Sequence, residues 1–406
     1  MCGCRVPIGV SVDQSVIRSF PNEVENMDTS SLPLISADSH VAEPRFLWYD
    51  NLPESMRSRA PRTIVPTDDG TWNLEGHDQS IISARRRENE TAEQQHLRER
   101  SEERERLAAL RSEARLAVMR EDGIAGECIF PTIGLYVWMM DDPDVGEACC
   151  QIYNDWIYDL LEKESPRWRC AALIPTWDID RAIAEVQRVA DMGLAAAMLP
   201  LVGTPEYNDP RWEPLWSAIA ETGLPAVMHQ GTGHDMLFYR GPGASVTNLL
   251  ATQSMAPRAA GLLTMSGALE RHPDLHFVFV EVNASWIGWT MDTLDYYYEA
   301  FRGYIDEAGR NWVRPVLEEL PSHYIGRQIH GTFQDDLSAI ANIRRTGVAP
   351  LLWGSDYPHG ESTYPRSRET VQKLVGELAP EDAARIVGGT CAELFHFDDA
   401  VLTTPV

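Results

Sequence analysis

Eight apolar runs punctuate the chain beyond residue 33, and most are continuous rather than alternating. They are Leu34–His40, Ile124–Thr132, Cys170–Thr176, Ala195–Pro200, Pro225–Gly231, His276–Val282, Gln328–Phe333 and Leu351–Pro358. A strand with one wet face alternates apolar and polar residues; a continuous run marks a parallel strand covered on both sides. Between the runs, helical periodicity predicts helices over Ile179–Met192, Glu213–Thr222, Leu262–Arg271 and Leu337–Thr346. Strand–helix alternation repeated in this way predicts an α/β fold, a (β/α)8 TIM barrel over residues 34–398. The active site of such a barrel lies at the C-terminal ends of its strands. Residues 1–33 lack periodicity and are expected to form a partly disordered N-terminal arm, and residues 399–406 a C-terminal tail.

One insertion interrupts this rhythm after the first run. Residues 82–121 carry Arg85-Arg86-Arg87 and then an Arg/Glu-rich stretch through Glu102-Glu103-Arg104-Glu105-Arg106. Opposite charges four apart predict a solvated helix laced with ion pairs. It would serve as an outer face, a dimer arm or a lid over substrate phosphates.

The ends of runs one, five, six and eight carry side chains of metal-ligand type. Asp38 and His40 lie two apart, so a strand's period of two puts them on one face. His229 follows Ala226-Val227-Met228 and precedes the glycine-rich Gly231-Thr232-Gly233, with His234 just beyond. Glu281 ends Phe277-Val278-Phe279-Val280, and a carboxylate there is costly unless paired or coordinated. Asp356 ends the last run, with His359 and Glu361 after it; Glu43 follows His40. One zinc site needs three protein ligands. The surplus here predicts two metals, or one metal with an acid/base group such as His234 or Glu361. A mixed carboxylate and imidazole set suits iron or manganese as well as zinc.

The motifs Asp38-x-His40-x-x-Glu43-Pro44, Met228-His229-x-Gly231 and Trp353-Gly354-Ser355-Asp356-Tyr357-Pro358-His359 resemble the amidohydrolase-related family of metal-dependent TIM barrels. That family includes aminocarboxymuconate-semialdehyde and γ-resorcylate decarboxylases. The resemblance runs from about residue 34 to 398 and takes in Tyr153-Asn154-Asp155-Trp156 and Thr332-Phe333-Gln334-Asp335-Asp336. It implies Asp38, His40, His229 and Asp356 as metal ligands. Decarboxylases of the family carry a catalytic His-Gly pair at the end of strand six, where this chain has Glu281-Val282-Asn283. With that carboxylate and the Asp356-x-x-His359 close, the chain looks like the family's nonheme diiron monooxygenase branch, which acts on coenzyme-A-linked substrates such as diterpenoid intermediates of antibiotic biosynthesis. The resemblance thus implies an oxidoreductase with two irons, held by Asp38, His40, Glu43, His229, Glu281, Asp356 and His359. It would use dioxygen and an external electron donor to hydroxylate an apolar acyl-CoA. The alternative within the family is a mononuclear zinc or manganese decarboxylase or hydrolase. A catalytically dead scaffold barrel is a third reading, which the more than complete ligand set disfavours.

Composition narrows the partners. A net charge of −26 argues against nucleic acid or an anionic membrane surface. No run of about 18 apolar residues predicts a membrane span. Seven cysteines at irregular spacings predict reduced thiols and a cytoplasmic protein. Trp48, Trp138, Trp286 and Trp289 are candidates for the wall of an apolar pocket. Arg45, Arg57, Arg59, Arg62 and Arg85–Arg87 are candidates for a coenzyme A phosphate site, and the charged insertion and apolar helices predict a homodimer.

Overall fold

The computed structural model describes residues 27–44, 47–61, 64–66, 71–74, 80–83, 111–233, 239 and 241–404. In chain order its strands are β1 (Leu34–Val41), β2 (Ile64–Pro66), β3 (Thr71–Leu74), β4 (Ser80–Ser83), β5 (Ile124–Pro131), β6 (Trp168–Leu173), β7 (Ala196–Val202), β8 (Ala226–Gly233), β9 (Phe277–Val280), β10 (Ile329–Phe333) and β11 (Leu351–Trp353). All eight expected runs are strands of one parallel sheet, in the order β1-β5-β6-β7-β8-β9-β10-β11. Every residue of β1 and β5 is buried, as their continuous apolar character requires. The two edges of the sheet meet beyond β11. His40 N donates to Tyr357 O at 2.6 Å and Asp356 N to Asp38 O at 2.8 Å, with a parallel bridge between Ser39 and Tyr357. Gly354 permits this approach, because a Cβ there would stand 2.6 Å from Asp38 Cβ. The result is a (β/α)8 TIM barrel.

The helices Ile179–Met192 and Glu213–Thr222 have the expected bounds, each ended by a glycine in the left-handed region, Gly193 and Gly223. The two other expected helices are broken. Leu262–Arg271 divides into Met255–Met265 and Ala268–Arg271 around Gly267, whose φ is +78°. Leu337–Thr346 divides at Asn342. The short strands β2, β3 and β4 form an antiparallel sheet that the sequence reading did not anticipate. Its last strand includes Ile82 and Ser83, so the insertion does not begin as a helix. Residues 84–110, with Arg85–Arg87, lie outside the described residues, as do Arg45 and Arg62.

The insertion's end forms the helix Ser112–Asp122, which buries Arg115 completely. Arg115 Nε donates to Glu127 Oε2 at 2.6 Å and Nη1 to the carbonyl of His40 at 2.6 Å. This helix is therefore part of the support for strand β1 rather than a solvated face. Lysine would keep the charge but hold only one of the two acceptors. Arg115→Lys is expected to lose about 1.5–3 kcal/mol of stability in urea denaturation, the worth of one charge-assisted hydrogen bond; an unchanged midpoint would contradict this.

Of the arm, Met27 N donates to Gly376 O and Thr29 N to Gln372 Oε1, tying residues 27–29 to the helix Ser367–Val375 and the glycine after it. In the tail, the helix Asp399–Thr403 buries Val401. Trp48 and Trp138 are core residues, whereas Trp289 is 63% exposed. The thiols of Cys128, Cys149, Cys150, Cys170 and Cys391 are free and buried. Among the described residues no helix is long and apolar enough to cross a membrane.

Candidate metal centre

Three strand ends and the segment after β11 bring the candidate side chains together. His40, Glu281, Asp356 and His359 form one group of donor atoms within 4.8 Å of one another, and Asp38, His40 and His229 form a second. His40 belongs to both. His40 Nε2 lies 3.1 Å from His229 Nε2, 3.4 Å from Asp38 Oδ1 and 3.6 Å from Asp356 Oδ1. Glu281 Oε2 stands 3.5 Å from His229 Nε2.

The tautomers follow from the carbonyls behind the rings. His40 Nδ1 is 2.8 Å from Pro131 O, and His229 Nδ1 is 2.9 Å from Gln230 O. A carbonyl only accepts, so each Nδ1 carries the proton and each Nε2 keeps a lone pair. Two lone pairs facing each other at 3.1 Å repel unless a cation lies against both. The carboxylates say the same. Asp38 and Asp356 are buried; among the described residues neither Asp38 oxygen nor Asp356 Oδ2 has a hydrogen-bond donor, and Asp356 Oδ1 has only the ion pair to His359 Nδ1 at 2.9 Å. Buried polar atoms in such numbers are ordinarily satisfied, and metal coordination would satisfy these. The donor set therefore fits a divalent ion.

Electrostatics agree with this geometry. Burial, with His359 and His229 nearby, pulls His40 down to about 3 and keeps it neutral. Burial raises Asp356 to about 6. Burial likewise lifts Glu281 well above the ordinary carboxyl range, and the Asp356 carboxylate adds to this. Burial works against a charged His359, but Asp356, whose Oδ1 is 2.9 Å from His359 Nδ1, more than offsets it and raises the imidazole to about 10.

Backbone strain collects at the same place. Glu281 and Asp356 have φ of 59° and 58°, and so does Asn283, at 58°. Non-glycine residues in the left-handed region are uncommon, and at strand ends they re-aim side chains. Glu281 N donates to Thr332 Oγ1 at 2.8 Å, which fixes the bend.

Other expected residues fall elsewhere. Glu43 is buried but belongs to neither donor group; its oxygens accept from the backbone N–H groups of Thr132, Ile133 and Gly134. Burial raises its carboxyl to about 7 in spite of those bonds. Glu361 is exposed and also outside both groups. His234 lies outside the described residues. The sequence reading missed Gln230, a buried amide that donates Nε2 to Glu281 Oε1. Its position beside His229 was the available signal.

The sequence profile described as Amidohydrolase matches residues 78–397. No curated protein matches the chain by sequence. Among solved structures, an amidohydrolase from Mycobacterium avium subsp. paratuberculosis K-10 superposes with a TM-score of 0.66 at 19% identity, covering 90% of this chain and 98% of that one. A 2,6-dihydroxybenzoate decarboxylase from Rhizobium gives 0.59 at 16% identity, covering 90% and 99%. A mutant 5-carboxyvanillate decarboxylase from Novosphingobium aromaticivorans, solved with manganese and a nitrobenzoic acid, gives 0.63 at 14%, covering 92% and 100%.

These findings correct the diiron monooxygenase expectation. The three solved structures named above are an amidohydrolase and two decarboxylases, not oxygenases. The site supplies the physical reason. The two donor groups also share His40, whose Nε2 faces the cluster while Nδ1 faces Pro131 O, so they do not form two independent ligand sets. The oxidoreductase activity, the two irons and the antibiotic-pathway role implied by that branch are withdrawn, and nothing supports acyl-CoA, dioxygen or an electron donor as partners. On the match that spans most of its length, the chain belongs to the amidohydrolase family.

Proposed function

We propose that this chain is a mononuclear metal-dependent decarboxylase of small aromatic or unsaturated carboxylates, with the ion held by Asp38, His40, His229 and Asp356. The observation that carries the reading is the pair of Nε2 atoms 3.1 Å apart, beside a buried Asp38 carboxylate whose oxygens have no donor. Oxygen and imidazole donors without thiolate suit manganese or zinc. When bound, such an ion supplies a Lewis acid that polarises a substrate oxygen.

The chain's own residues do the rest. Pro131 O and Gln230 O hold the two imidazoles in the ligating tautomer. His359 pairs with Asp356 and limits its rotation. Glu281 reaches the same point from the end of β9, where family decarboxylases place a histidine. Its carboxyl delivers a proton to the substrate carbon as the bond to the departing carboxylate breaks. Carbon dioxide leaves, the bonding pair forms the new C–H bond with that proton, and solvent reprotonates Glu281. The decarboxylases of similar fold, named for 2,6-dihydroxybenzoate and 5-carboxyvanillate, make planar hydroxylated benzoates the first substrates to try.

The test is carbon dioxide release from those two acids by protein loaded with manganese or zinc. Release abolished by chelation and restored by added metal is the expected result. Purified protein that takes up no divalent ion would overturn the reading.

A further inference from the structure

We propose that Gln230 is the positioning residue for Glu281 and that Thr252 links this pair to the helix Ala244–Gln253, which follows β8. The role assigned to Glu281 rests on the decarboxylase reading; the place where its carboxyl is held does not.

Gln230 serves the centre twice. Its main-chain carbonyl accepts from His229 Nδ1 at 2.9 Å, and its side-chain Nε2 donates to Glu281 Oε1. One residue therefore sets both an imidazole tautomer and the direction of a carboxylate. The amide is itself oriented from behind, because Thr252 Oγ1 lies 3.1 Å from Gln230 Oε1 and can only donate its proton there. That hydroxyl also lies 3.0 and 2.9 Å from the carbonyls of Asn248 and Leu249. A hydroxyl has one proton, so the bond to Gln230 competes with the helix's own carbonyls. The link is adjustable for this reason.

A second contact runs in parallel. Asn283, two residues beyond Glu281, donates Nδ2 to Gln253 Oε1 at 3.2 Å. The bent segment Glu281–Asn283, with a left-handed residue at each end, is thus tied to adjacent residues of one helix. That helix buries only Thr252, while Val246 and Leu250 are exposed. With so little apolar surface buried, its polar contacts carry much of its attachment to the barrel. With Oε1 held by Gln230, Glu281 Oε2 stands 3.5 Å from His229 Nε2. A glutamate has three side-chain torsions, and releasing Oε1 lets the carboxyl leave the reacting position.

The test uses the manganese-loaded full chain. For Gln230→Leu, kcat is expected to fall about tenfold to a hundredfold, with KM and one manganese per chain retained, as when support behind an active group is lost. Thr252→Val, a smaller change, is expected to lower kcat about threefold, since only one bond of the network goes. In a Glu281→Gln background, Gln230→Leu should cost nothing further, because residues acting as a unit are not additive. Full additivity, or wild-type kcat in Gln230→Leu, would overturn the proposal. A crystal structure of manganese-loaded Thr252→Val and Gln230→Leu reads the same point without activity. A displaced or split Glu281 carboxyl supports the assignment, and an unmoved one overturns it. If neither benzoate is decarboxylated by the wild type, the decarboxylase reading fails, while the crystallographic position of Glu281 still decides the role of Gln230.

Discussion

Replacing His229 with alanine is expected to reduce bound manganese from about one per chain to near zero and to lower carbon dioxide release by about a thousandfold or more. Its Nε2 is 3.1 Å from His40 Nε2 and 3.8 Å from Asp38 Oδ1, so it completes the imidazole side of the cluster. Lewis-acid catalysis contributes several kcal/mol, and about 4 kcal/mol corresponds to a thousandfold at 1.36 kcal/mol per decade. Elemental analysis after dialysis against buffer gives the first number and a coupled carbon dioxide assay the second. Thermal unfolding gives an independent check. An ion bound only by the native state stabilises it by about 2.7 kcal/mol at a hundred times its Kd, so added manganese should raise the midpoint of the wild type and leave the variant's unchanged. A variant that still binds one manganese tightly would remove His229 from the ligand set.

The second large effect separates binding from chemistry. Glu281→Ala is expected to keep close to one manganese per chain and to lose about a hundredfold to ten-thousandfold in kcat, the usual worth of a positioned acid or base. The argument is geometric. Asp38, His40 and His229 form a donor group that does not include Glu281, whereas Glu281 is anchored at Oε1 by Gln230 and has Oε2 3.5 Å from His229 Nε2. Metal content and turnover therefore respond to different residues. Loss of the ion together with activity in Glu281→Ala would make this carboxylate a ligand instead.

Much of this architecture was readable from residue order. Continuous apolar runs mark strands covered on both faces, and each of the eight became a barrel strand, with the barrel interior on one side and helices on the other. That Asp38, His40, His229, Glu281, Asp356 and His359 would come together was legible, because each ends or closely follows an apolar run at the same end of the barrel. The three-stranded antiparallel sheet was less visible, since strands of three or four residues carry hardly one cycle of alternation. The Asp69-Gly70 dipeptide between β2 and β3 was the usable hairpin signal. The helix boundary at Gly267 was marked by its glycine, but apolar periodicity continued through it. The imidazole tautomers were not legible at all, since Pro131 O reaches His40 from 91 residues away. Gln230, Thr252 and Arg115 were missed for the same reason, because their work lies in contacts that leave no period in the chain.

The seam that closes the barrel has a consequence for the order in which the protein is made. Ser36 and Ser355 share a hydrogen bond across 319 positions of sequence, and Asp38 and Asp356 face the same centre from the two sides of that seam. Contacts between chain ends so distant carry the largest loop-closure penalty and tend to form late in folding. A nascent chain lacking its last strand therefore lacks Asp356, one of the four proposed ligands, and would bind an ion more weakly. Metal uptake would then report that the cylinder has closed, and the captured ion would in turn rivet the first strand to the last.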